Sequence, residues 1–153
     1  MNSLQNKKTQ LDQLMPLIQE ELDAGRSVRF SPSGISMLPM LRDGLDSVVL
    51  SPLPERLKKY DLPLYRRSSG QYVLHRVIKV GSTYTCIGDN QFCKETGLQH
   101  GEMIALVTSF YRNNKEIKTS NLGYQIYCRF WHYSRPLRHL FKSGIRWLWR
   151  HIK

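Results

Sequence analysis

Apolar residues Leu11, Leu14, Met15, Ile18 and Leu22 recur at helical spacing, with Gln and Glu between them. The pattern predicts a helix within residues 1–28, kinked or started late by Pro16 and ended by Gly25. The period then falls to two. "SVRF" and "DSVVL" predict short strands, and "LPLYR" an edge strand, where Pro63 is tolerated. "QYVLHRVIKV" predicts one long strand with "STYTCI" as its hairpin partner across Gly81. "GDNQFCKETGLQHGE" reads as a polar loop and "MIALVTSFYR" as a buried strand. With no βαβ rhythm, the expected fold is mainly β: a compact antiparallel sandwich- or barrel-like domain over residues 29–118.

Residues 119–153 read as a basic tail. From Pro136, suited to a helix's first turn, the apolar positions are Leu137, Leu140, Phe141, Ile145, Leu148 and Ile152. The basic positions Arg138, Lys142, Arg146, Arg150 and Lys153 fall on a different face of a 3.6-residue period, with Trp147 and Trp149 near the boundary. This predicts a C-terminal amphipathic helix.

Charge sharpens that picture. The formal net charge is +11, and no acidic residue follows Glu116. A polyanionic partner should therefore meet the tail. The Trp-bearing apolar face favours peripheral contact of residues 135–153 with an anionic membrane surface over nucleic acid. The competing expectation is that the apolar stripe packs on the domain and the cations are merely solvated. Three cysteines without a CxxC pair argue against a disulfide framework or zinc site, so neither metal nor cofactor is expected. No signal peptide and no apolar run of about 18 residues is visible, which predicts a cytoplasmic protein, free or resting on a membrane face.

One stretch is chemically unusual. "SGISMLPMLRDG", residues 33–44, sets the Ser36 hydroxyl among large apolar side chains and two structure breakers. A serine hydroxyl needs a neighbouring base to become a nucleophile. The long strand offers His75, with Val73 and Val77 on the same side by alternation. Taken singly, Ser36 is an ordinary loop serine and His75 an ordinary strand histidine. His100, His132, His139 and His151 read as solvated or interfacial.

In combination the segments carry more. "GISMLPMLRDG", "YVLHRVIKV" and "CIGDN" occur in the order and spacing of the signal peptidase family of serine proteases, and residues 29–110 resemble that family. Its β-rich fold is shared with LexA-type repressor proteases. The resemblance implies Ser36 as nucleophile and His75 as general base, as in the endoplasmic reticulum and archaeal branch. It implies that Asp89, in the "GDN" box, orients the imidazole; Glu95 is the alternative, and Asp89 capping its own turn the structural one. Gly34 stands where many relatives carry a hydroxyl residue, leaving the Ser36 N–H as an oxyanion donor. Gly34, Met37 and Pro39 are the candidate substrate-binding positions, with Met37 in the cleft or packed beneath it. Met40 and Leu41 read as core, Asp43, Gly44 and Asp46 as a structural turn, and Arg76 as a loop-holding ion-pair partner. The implied function is a serine endopeptidase that cleaves a leader or precursor peptide after small residues. The alternatives are a catalytically inactive peptide- or partner-binding β domain, and a nucleic-acid-binding module using the tail.

Overall fold

The computed structural model describes the backbone of residues 2–140 and the side chains of residues 11–140. Helix α1, Asn2–Asp23, starts well before Pro16 and runs through it. It buries Met15, Ile18 and Leu22 in the main core. Gly25, at φ +76°, closes it: Gly25 N–H reaches the Leu22 carbonyl at 2.9 Å and Arg26 N–H the Glu21 carbonyl at 2.9 Å. That left-handed cap is one a side chain would strain.

Among the described residues nine strands follow, in two antiparallel sheets. The larger contains β1 (Val28–Phe30), β2 (Ser47–Ser51), β3 (Pro63–Arg66), β4 (Tyr72–Leu74), β8 (Met103–Arg112) and β9 (Lys115–Lys118). Its order is β1-β2-β8-β3-β4, with β9 also on β8. The smaller contains β5 (Arg76–Val80), β6 (Tyr84–Ile87) and β7 (Glu95–Leu98), in that order. Among the described residues these pairings do not close into a barrel. What the structure describes is 26% helical and 32% strand, so the fold is more mixed than the mainly β expectation.

Several boundaries differ from the sequence reading for physical reasons. The expected long strand is divided at His75, where the chain leaves the larger sheet for the smaller. The expected edge strand, β3, is interior between β8 and β4; Pro63 is accommodated as its first residue. The polar loop contains β7 and a 3₁₀ turn, His100–Glu102. Strand β9 forms a hairpin with β8 across Asn113 and Asn114, both at positive φ.

The C-terminal helix also starts earlier than Pro136. Helix α2, Leu122–Tyr133, is capped by the Asn121 side chain, which accepts the Gly123 N–H at 2.8 Å. Residues 135–140 are helical again after a turn at Ser134. Phe141, Lys142, Ile145, Arg146, Trp147, Leu148, Trp149, Arg150, Ile152 and Lys153 lie outside the described residues. No described helix is long and apolar enough to cross a membrane.

Candidate active site

His75 sits at the seam between the sheets and is 2% exposed. In the smaller sheet Val77 faces Cys86 across β5–β6, and Cys86 faces Glu95 across β6–β7. His75 is two residues before Val77, so alternation puts its side chain on the side that Glu95 occupies. Glu95 Oε1 lies 3.0 Å from His75 Nδ1, and the Tyr65 hydroxyl is 3.2 Å from the same nitrogen. Arg67 grips the carboxylate, its Nε donating to Oε2 at 2.8 Å and its Nη2 donating to Oε1.

A carboxylate can only accept, so these partners assign the proton to Nδ1 and leave a lone pair on Nε2. Burial pulls the His75 pKa below its ordinary value, against the opposing pull of Glu95. The hydrogen bond from Arg67 holds Glu95 below the usual carboxylate range. The result is a neutral imidazole with a fixed tautomer beside an ionised carboxylate. Such a group can take a proton on Nε2 and have the resulting charge stabilised.

Asp89 serves a different partner, which corrects the orienting role expected of it. Arg76 faces Ile87 across β5–β6, and Asp89, two residues beyond Ile87, falls on Arg76's side. Both its oxygens accept from Arg76, at 2.8 and 2.7 Å, and both side chains are 1% exposed. The guanidinium also reaches the Tyr60 carbonyl at 3.2 Å, the Tyr124 hydroxyl and Cys128 Sγ at 2.9 Å, and Met40 Sδ at 2.8 Å. Burial works against the Arg76 charge, but Asp89 outweighs it and the pKa is raised. Arg76 thus ties the serine loop, α2 and the "GDN" turn together, the loop-holding role expected of it.

Ser36 is half-buried in the turn that follows β1. Its carbonyl accepts the Asn90 N–H at 2.8 Å, and Asn90 Nδ2 donates to the Ile35 carbonyl at 3.2 Å. A Cβ on Gly88 would lie 2.7 Å from the Ser36 carbonyl oxygen, so only glycine permits this approach. Gly34, at φ +107°, gives its N–H to Asp43 Oδ1 at 3.1 Å, which closes the loop on itself. Met37 is buried in the main core with Met40 and Leu41. It packs beneath the loop, the second of the two placements expected for it, which leaves little of its side chain for direct substrate contact. Pro39 is exposed and borders a groove of about 760 Å³ between the serine loop, the β8–β9 hairpin and α2. Asp46 is buried; it accepts from Arg42, Nη2 to Oδ1 at 2.7 Å, and lies 3.5 Å from Arg112, a structural role as expected.

The "GDN" segment joins the two halves. Ile87 pairs with Arg76, the residue after His75, while Gly88 and Asn90 hold Ser36. Helix α2 and its extension hold the outer side. Trp131 Nε1 donates to the Asp89 carbonyl at 2.9 Å, and Arg135 donates to the Gly88 and Gln91 carbonyls at 3.2 and 2.6 Å. Arg138 reaches the Asp89 carbonyl at 3.4 Å. Sequence reasoning missed Tyr65, Arg67 and Trp131, and took Arg135 and Arg138 for tail cations. The 131, 135, 138 spacing, one face of a helix, was the available signal.

No protein-family model matches the chain, and neither does any curated protein or solved structure. The chemistry therefore rests on the residues themselves.

Proposed function

We propose that the protein is a serine endopeptidase with a signal-peptidase-like fold, in which Ser36 is the nucleophile, His75 the general base and Glu95 the orienting carboxylate. The observation that carries the reading is the buried His75 imidazole with Nδ1 held by Glu95, which frees Nε2 to act as a base. In this reading Nε2 takes the Ser36 hydroxyl proton as Oγ attacks the scissile carbonyl. The Ser36 N–H donates to the developing oxyanion, and the protonated imidazole then gives its proton to the leaving amine. Water, activated by the same nitrogen, releases the acyl group.

The substrate is a leader or precursor peptide, and the preference for small residues before the cut follows from the family resemblance alone. Because His75 begins near 6.5, it needs far less tuning than a lysine base, which must fall by about 3 units. A fluorophosphonate probe read by intact mass tests the assignment. We expect one adduct on Ser36, absent from Ser36→Ala and strongly reduced in His75→Ala. Wild-type protein that takes no adduct, or takes it equally in folded His75→Ala, returns the chain to a non-catalytic peptide-binding β domain.

A further inference from the structure

A surface helix of a globular protein ordinarily turns its apolar stripe inward. Helix α2 and its extension carry a second stripe outward. Leu122, Ile126, Phe130, Tyr133, Leu137 and Leu140 are each between 57% and 75% exposed. Their spacings of three and four residues put them on one side of the helix. The opposite side is already occupied: Tyr124 and Cys128 are buried against Arg76, and Trp131 and Arg135 hold the Gly88–Gln91 turn. Among the described residues, the outward stripe is thus left uncovered while the inward one is packed.

Its charge surroundings point to the partner. Arg129 is exposed beside the stripe, and Lys59 Nζ lies 5.9 Å from the Tyr133 ring centroid. No acidic residue occurs anywhere after Glu116. An apolar band edged by cations, with a tyrosine ring in it, complements the interface of an anionic bilayer: acyl chains for the band, headgroups for the cations. At 1.5 Å per residue the 12 residues of α2 run roughly 18 Å, and the helical residues 135–140 follow, long enough to lie along a membrane surface.

We propose that the outward face of residues 122–140 docks the protein in the interfacial plane of an anionic lipid bilayer. The docking surface begins on α2 itself, upstream of the residue 135–153 tail. The docked helix is also bonded to the turn that holds Ser36, so lipid contact and the serine loop share one rigid connection. Docking does not rest on the peptidase reading.

The test is co-flotation of the full chain with vesicles of phosphatidylglycerol and phosphatidylcholine, compared with phosphatidylcholine alone. Wild-type protein and Ser36→Ala should float with the anionic vesicles and not with the neutral ones. Ile126→Glu/Phe130→Glu, checked for native circular dichroism, should partition about tenfold or more weakly, since two large apolar groups no longer enter the lipid. Leu122→Glu/Leu137→Glu serves as an independent pair. Wild-type protein that stays in solution overturns the proposal, as does flotation unchanged in both folded double variants. A soluble wild-type dimer that the substitutions dissociate would assign the stripe to a second copy. Salt-sensitive RNA binding without flotation would assign the charge to nucleic acid. Both outcomes likewise overturn it.

Discussion

Glu95 Oε1 lies 3.0 Å from His75 Nδ1, reached across two strand pairings from a residue 20 positions later in the chain. The Asp89 carboxylate, nearer in sequence, is turned to the other side of the sheet and held by Arg76. Exchanging Glu95 for Gln keeps the size and removes the charge. In the peptidase reading this should slow Ser36 acylation by on the order of 10² to 10⁴-fold, because tautomer and imidazolium both lose support. Second-order rate constants for fluorophosphonate labelling check it. A rate within threefold of wild type would remove Glu95 from the site.

The pH dependence follows from the direction of the His75 shift. Burial favours the neutral ring, so His75 protonates below its ordinary value of about 6.5. Only the neutral ring accepts the serine proton. The acid limb of acylation should thus be centred below pH 6.5. Glu95 raises the imidazole pKa against burial, so Glu95→Gln should move the acid limb lower still. An acid limb centred above pH 7 would contradict the buried-base assignment.

Arg76 and Asp89 form a fully buried pair, and removing one partner strands the other's charge. Arg76→Met should cost about 3–5 kcal/mol of unfolding free energy. Arg76→Lys should recover only part, since an ammonium cannot reproduce the two-pronged contact with both Asp89 oxygens. Urea denaturation of the three proteins measures this. A loss below about 1 kcal/mol for Arg76→Met would show that the pair is not the fold's buried hub.

Gly88→Ala tests the seam between the serine loop and the "GDN" turn. The new methyl would stand 2.7 Å from the Ser36 carbonyl oxygen, so backbone must move. A displacement near 1 Å at the nucleophile should lower the acylation rate by on the order of 10²-fold. Overpacking should cost about 1–3 kcal/mol in stability. Gly101→Ala is the control, because no atom lies within 4 Å of its added Cβ. Equal labelling rates for the two variants would break the link between Gly88 and Ser36 placement.

Local pattern carried much of this protein. Apolar spacing along α1, the β-branched runs of β2 and β8 and the hairpin of β5 with β6 are statements about near neighbours, and a sequence displays near neighbours. The packed roles of Met40, Leu41 and Asp46 and the loop-tying role of Arg76 were legible for the same reason: each is an apolar or charged residue in a short segment with few places to go. Tertiary structure alone decided which carboxylate meets the histidine. That choice depends on strand parity through the Val77–Cys86 and Cys86–Glu95 pairs and so on the register of β7, and one residue of slip would exchange the faces. It also decided that the strand at His75 breaks between two sheets, that Met37 turns inward, and that Trp131, Arg135 and Arg138 brace the turn beside Ser36. The bracing contacts join residues 42 to 49 positions apart, whose geometry is set by packing and leaves no period in the sequence.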